Sequence, residues 1–319
     1  MIFRLPAKTK TPRVLRILPT LCVAASLVSS IGAAPSAWKL TWNDEFNGSS
    51  VDTNHWTFDI GNGNNGWGNK ELQYYTAQPQ NVFVSNGLLH IVARRESCQG
   101  CRYTSAKLRT RGHFSQKYGR FEFRARLPQG KGFWPAFWLM PDQAIYGPWA
   151  ASGEIDVMEN KGDNPSEVMG TIHFGGTSPH NTHSEGPAYN FPAGDSVTNF
   201  HLYAVEWTSN AIRWYVDNHL YETQTNWWSA GGSDGATVRH PFPAPFNQPF
   251  SLIVNLAVGG DFDGNPDGAT VFPGEIQLDY IRVYDEAPVP ARPVVQSPHL
   301  LQTAGARSPE EPSHSGSSD

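Results

Sequence analysis

Three carboxylates stand within six positions in the run Gly153-Glu154-Ile155-Asp156-Val157-Met158-Glu159, separated by apolar and mostly β-branched residues. That alternation predicts a half-buried strand. On a regular strand Glu154 and Asp156 share one face and Glu159 takes the other. One extra residue, in a bulge at Val157-Met158, returns Glu159 to the first face. The result is a sheet surface carrying three acids in a row. Neighbouring like charges raise one another's pKa, so stability disfavours the arrangement. Acid chemistry can use it, because one carboxylate stays ionised while another holds a proton at neutral pH. The competing reading is a solvated acidic strand edge. Ile155, Val157 and Met158 argue against it, since they place the segment inside a packed sheet.

The elements that must position these acids are strands. The chain has 319 residues, 12% of them aromatic and 17% charged, with 30 Gly and 25 Pro. Many turns between aromatic and β-branched runs predict an all-β protein. Gly87–Ala93 follows an Asn-Gly turn. In Tyr118–Leu127 the Arg and Glu positions point one way and the Phe and Ala positions the other, which puts Glu122 on a solvated or convex face. Phe200–Trp207 and Ile212–Val216 flank Ser209-Asn210 as a hairpin. Phe250–Val258 reads as a central buried strand, and Ile276–Tyr284 alternates again. The folded unit is residues 35–285, a single β-sandwich or barrel. A net charge of −5 and the lack of a basic stripe argue against nucleic acid as a partner.

Residues 1–34 read as a secretory signal peptide. Arg4, Lys8, Lys10, Arg13 and Arg16 precede a largely apolar Ile17–Ile31, and Gly32-Ala33-Ala34 offers small residues for cleavage. The apolar stretch is short for a membrane span. The expectation is a secreted, extracellular protein with no membrane contact after cleavage. Cys22 leaves with the leader, so Cys98 and Cys101 remain. A zinc site needs two further ligands and a redox motif needs a βαβ context. A small local disulfide is expected, with a free thiol pair as the alternative. Residues 286–319, rich in Pro, Ser, Gly and Ala, read as a disordered tail.

An ordered set of motifs carries a family resemblance across nearly the whole folded unit. It runs through Trp42-Asn43-Asp44-Glu45-Phe46, Asn69–Tyr75, Tyr118–Glu122, Gly132–Leu139, Thr171–Gly176, Asn255–Gly260 and Asp279–Tyr284. With the acid run, the chain resembles glycoside hydrolase family 16, and within it the laminarinase-like endo-β-1,3-glucanases. The resemblance implies a β-jelly-roll sandwich of two antiparallel sheets with a substrate cleft on the concave sheet. It implies that Glu154 is the nucleophile, Asp156 the helper and Glu159 the acid/base. A retaining glycosidase needs two carboxyls about 5–5.5 Å apart. The bulged motif resembles laminarinases, agarases and carrageenases, and Asn69–Tyr75 favours the first.

Sugar rings have apolar faces edged with hydroxyls, so their sites combine flat aromatics with polar groups. Trp134 and Trp138, four apart, share a strand face, and the resemblance makes that face the cleft; core packing is the rival role for Trp138. Trp149, five residues before Glu154, is similarly placed in laminarinase-like sequences, with loop packing as its rival role. Asn69 and Arg109 are candidate hydroxyl donors, Glu71 a candidate acceptor, and His173 a candidate on the leaving-group side. The resemblance also implies a structural calcium at Glu45, Gly87 and Asp279, the first two through backbone oxygens, away from catalysis, which itself needs no cofactor; an ordinary buried Asp is the rival reading of Asp279. The expected partner of a monomeric protein is β-glucan polysaccharide. Two other readings use the same fold: a non-catalytic β-glucan recognition protein, which lacks the glutamates present here, and a wall-glucan transglycosylase.

Overall fold

The computed structural model describes residues 38–231 and 238–287. The leader and the tail from residue 288 onward lie outside the described residues. Two large sheets pack face to face. The back sheet runs in the order His219–Gln224, Ile212–Val216, His201–Trp207, Gly119–Arg126, Gly274–Glu286, Leu88–Ala93 and Val82–Ser85, and Trp38–Asp44 also pairs with Gly274–Glu286. The facing sheet carries the acids. Its central members are Glu167–Gly176, Glu154–Glu159, Phe133–Pro141, Phe250–Val258 and Lys107–Arg109. Pairing is antiparallel throughout both sheets, save that Ser229–Ala230 joins Gly175-Gly176 in parallel.

The expected alternation fixes which side chains meet between the layers. Phe121, Phe123 and Ala125 are fully buried. Phe123 stacks on Phe137 of the facing sheet, centroids 5.1 Å apart and planes 5° from parallel. All nine residues of Phe250–Val258 are buried, as its apolar run predicts. Asn86 and Gly87 both have positive φ, 53° and 73°. They close the hairpin between Val82–Ser85 and Leu88–Ala93 with the handedness that suits strand twist. The hairpin about Ser209-Asn210 is formed as expected, with Trp207 opposite Ile212.

Glu122 lies on the back sheet, as the alternation requires. It is not simply solvated, because Arg120 Nε donates to it at 2.6 Å and Arg120 Nη1 donates to Glu206 at 3.0 Å. The expected disulfide is not formed. Cys98 and Cys101 are free thiols, although they pair as a bridge through Cys98 N–H to Cys101 O (3.0 Å) and Cys101 N–H to Cys98 O (2.8 Å). Those two backbone bonds close the turn without the sulfurs. Burial, then the neighbouring Cys98, pushes the Cys101 thiol up and keeps it in its less reactive protonated form.

Candidate active site

The acid strand has the predicted bulge. Asp156 sits opposite Thr171 and Glu159 opposite Met169, so Val157 and Met158 together face Gly170 alone. The extra residue brings Glu159 back to the face of Glu154 and Asp156. It also frees backbone polar groups that a buried sheet must satisfy. Trp214, fully buried on the back sheet, reaches across the core and donates its indole N–H to the Asp156 carbonyl at 2.7 Å. Gly170 makes room for it: a Cβ there would lie 2.2 Å from the Trp214 ring. The bulge is thus held from behind by the opposite sheet.

Each carboxylate has its own environment. Glu154 Oε2 accepts from Trp149 Nε1 at 2.8 Å. Trp149 has φ 37°, a sparsely populated backbone state that aims the indole at the acid. Glu159 Oε1 accepts from Trp134 Nε1 at 2.9 Å. Asp156 is only 3% exposed, and its Oδ2 has no hydrogen-bond partner. His173 lies opposite Glu154 in register. Its Nε2 is 3.3 Å from Asp156 Oδ2 and 3.9 Å from Glu154 Oε1.

Burial, reinforced by the Asp156 charge, raises Glu154 to about 7 and Glu159 to about 8. Burial alone would lower the His173 imidazole. Contact with Asp156 and the charges of all three acids override it and raise His173 to about 9. With both glutamates raised toward neutrality, the coupled group can keep one proton at neutral pH while another carboxylate is ionised.

The cavity beside the acids contains Asn69, Glu71, Trp134 and Trp138, as expected. Both tryptophans are half-buried and face the acids, which settles Trp138 as a cleft residue rather than core. Its indole N–H donates to Asn255 Oδ1 at 2.7 Å. Glu71, the candidate acceptor, is already engaged by structural hydrogen bonds. Its carboxylate already accepts from Gln73 Nε2 (2.6 Å), Asn69 Nδ2 (3.2 Å) and Tyr75 OH (3.2 Å). It therefore braces the wall that Asn69 presents.

Arg109 is not part of the cavity. It pairs with Asp59 at 3.2 Å, near the end of its short strand. Lys107, two residues earlier and so on the same strand face, is the cation that enters. It is 7% exposed, with Nζ 4.5 Å from the Trp67 ring centroid and 4.7 Å from that of Trp138. Burial holds its amine below the usual lysine range. Sequence reading missed Lys107, Trp67, Tyr75 and Asn255. The two-residue spacing from Arg109 was the available signal for Lys107. The Trp67 signal lay hidden in a turn whose residues Asn65, Trp67 and Lys70 all have positive φ.

At two of the three calcium positions the side chains have other partners. The Glu45 carboxylate accepts from Arg282 Nε (2.8 Å) and Nη2 (2.9 Å), and Arg124 pairs with Asp279. The expected contribution of Glu45 and Gly87 is through backbone oxygens, which these side-chain pairs leave untouched. Only the Asp279 carboxylate is an expected side-chain ligand, and one already paired with an arginine is a weaker ligand for a hard dication.

The sequence matches the family "Glycosyl hydrolases family 16" over residues 69–281. It is 45% identical over 270 residues to glucan endo-1,3-β-glucosidase A1 of Niallia circulans, covering 79% of this chain and 39% of that protein. It is 46% identical over 252 residues to a β-glucanase of Rhodothermus marinus, covering 77% of this chain and 85% of that one. The chain therefore spans well under half of the first relative and most of the second. The X-ray structure of the laminarinase from Rhodothermus marinus superposes with a TM-score of 0.68 at 43% identity, covering 80% of this chain and all of that one. That likeness agrees with the jelly-roll sandwich of two facing sheets described above.

Proposed function

The chain belongs to glycosyl hydrolase family 16, and from that premise we propose that it is an endo-acting β-1,3-glucanase working on laminarin-type glucans by a retaining double displacement. The observation that carries this reading is the bulge that gathers Glu154, Asp156 and Glu159 on one face, with an indole donor fixing each glutamate. Two relatives named for β-glucan hydrolysis, each at least 45% identical, support the substrate class.

In the first step the Glu154 carboxylate attacks the anomeric carbon. The glycosidic C–O bond breaks, and Glu159 gives its proton to the departing oxygen. In the second step Glu159, now a carboxylate, takes a proton from water. The water oxygen attacks the same carbon and releases Glu154, while Glu159 regains its starting proton. Two inversions leave the β configuration. The Glu159 proton is available because burial holds that acid up. Asp156 and His173 keep the charge beside Glu154 balanced as it is consumed and restored. Trp134 and Trp138 offer flat faces to the glucose rings.

Cleavage of mixed β-1,3-1,4 glucan and export behind residues 1–34 belong to the same proposal. The test is reducing-sugar release from laminarin, mixed-linkage glucan, cellulose, agarose and carrageenan, with Glu154→Gln beside the native protein. Fast release from laminarin that vanishes in the variant is expected. Laminarin bound but never cut would overturn the reading in favour of a recognition protein. Early NMR of the products should show the β anomer, and an initial excess of α would sink retention. Amino-terminal sequencing of protein recovered from culture medium tests export, which a chain starting at Met1 would exclude.

A further inference from the structure

The group Glu154, Asp156 and His173 has a property that sugar chemistry does not use. Each residue offers one ligand atom, and the three atoms lie within 4.8 Å of one another. In a tetrahedral zinc site with bonds of about 2.0–2.1 Å, neighbouring ligand atoms are about 3.3 Å apart. His173 Nε2 is already 3.3 Å from Asp156 Oδ2 and 3.9 Å from Glu154 Oε1. The His173–Glu154 gap must close by roughly half an ångström, and the Glu154 and Asp156 oxygens, which lie within 4.8 Å of each other, must also approach, both by rotation of the Glu154 side chain.

A second observation points the same way. Asp156 is 97% buried, lines the cavity, and leaves Oδ2 without a hydrogen bond. Its neighbour His173 Nε2, 3.3 Å away, is not aligned for a hydrogen bond, so the oxygen keeps a lone pair free for a cation. A dication that displaces the His173 proton, bound to two carboxylates and the imidazole then neutral, would leave the group without net charge. One imidazole among oxygen donors suits zinc, copper or nickel better than magnesium or calcium, which require six or more oxygens. The set also has the form of three protein ligands with one coordination position open to the cleft.

We propose that Glu154, Asp156 and His173 form a three-ligand site for a borderline divalent transition-metal cation, zinc foremost, and that its occupation shuts the active site. The metal takes the Glu154 oxygen pair out of reach of an anomeric carbon and stands where the sugar must lie. Inhibition is therefore competitive with glucan. The inhibitory consequence rests on the glucanase reading, whereas the binding does not.

The test uses full-length, tag-free protein and two readouts. Zinc added to a laminarin assay should lower activity by about tenfold or more, raise the apparent KM, and be reversed by EDTA. Magnesium and calcium should do nothing. Cobalt(II) added to the protein should give the intense visible bands of a tetrahedral site. Those bands should be lost in His173→Gln, in Asp156→Asn and in the inactive Glu154→Gln, and be retained in His180→Gln, an exposed histidine outside the group. Whatever activity remains in His173→Gln should be at least roughly tenfold less sensitive to zinc. The proposal fails if cobalt gives only weak octahedral bands in the native protein. It fails equally if all three variants keep the tetrahedral spectrum. Protein with no glucanase activity but with tetrahedral cobalt would sustain the site and overturn the function instead. If one variant does not fold, the other two decide.

Discussion

The arginine-paired acids of the back sheet and the three acids of the facing strand are treated in opposite ways. On the back sheet Glu122 and Glu206 share Arg120, which is itself buried, and Glu45 is clasped by both arms of Arg282. On the facing sheet Glu154, Asp156 and Glu159 are met by two indole N–H groups and one imidazole. Strand alternation supplies both sets, so the pattern alone does not separate them. The difference lies in the partners. A guanidinium holds a carboxylate ionised and silent, as with Glu45, which Arg282 holds below the usual range. An indole donor fixes geometry without neutralising the charge, and burial is left to raise Glu154 and Glu159. Burial without an arginine is not enough by itself, because Glu222 on the back sheet is also buried, accepts from Gly186 and Gln224, and is raised to about 7; Glu154 and Glu159 differ in lining one cavity together with Asp156.

That contrast is sharpened most by Glu154→Gln. Loss of the nucleophile should lower kcat by roughly 10³-fold or more. The same change should stabilise the protein at mildly alkaline pH. Glu154 has its folded pKa raised above its unfolded value, so its favourable contribution is complete below the unfolded pKa and is lost as pH rises through about 7. A melting scan at pH 8.5 showing the variant less stable than the native chain would refute the claim that this acid is buried at the expense of stability.

Next in size is Trp214→Phe, which removes the brace behind the bulge and touches no substrate. A small misplacement of a reacting group costs on the order of 10²-fold, so kcat should fall about 10- to 100-fold while KM stays nearly constant. The unpaired Asp156 carbonyl should cost about 1–3 kcal/mol of stability. Lower stability with unchanged kcat would show that the bulge holds itself.

The pH profile comes third. Glu154 must be ionised and Glu159 protonated, so activity should fall below about pH 7 and above about pH 8. The limbs belong to the coupled pair rather than to single residues. The Trp134 hydrogen bond lowers Glu159, so Trp134→Phe should move the alkaline limb upward. A limb that stays in place would separate Trp134 from proton control.

The smallest kinetic effect belongs to the back sheet. Arg120→Met strands two acids and should cost about 3–5 kcal/mol of stability, yet leave kcat and KM unchanged in the folded fraction. Chelation is likewise expected to leave the melting temperature where it was, because Arg124 already pairs with Asp279, the expected carboxylate ligand of the calcium. A fall on adding EDTA would restore that metal.

Much of this was legible in the chain itself. The Glu154–Glu159 run names its strand, its bulge and its three acids, because period-two alternation and one surplus residue are local facts. Phe121 and Phe123 against Arg120 and Glu122 announce the two faces of the back sheet for the same reason. Trp134 and Trp138 share a face by strand spacing alone.

Partners distant in sequence were decided only by the tertiary structure. Trp214 lies 58 residues from the carbonyl it braces, and no local pattern links an indole on one sheet to a bulge on the other. Lys107 rather than Arg109 enters the cavity because of where the short Lys107–Arg109 strand meets Phe250–Val258. Glu71 is taken by Gln73 and Tyr75 because a turn of left-handed residues folds the wall back on itself. Sequence dictates which face a side chain takes, since that follows from backbone geometry one or two residues away. What stands opposite that face, and therefore whether an acid is silenced or left reactive, depends on how the two sheets stack.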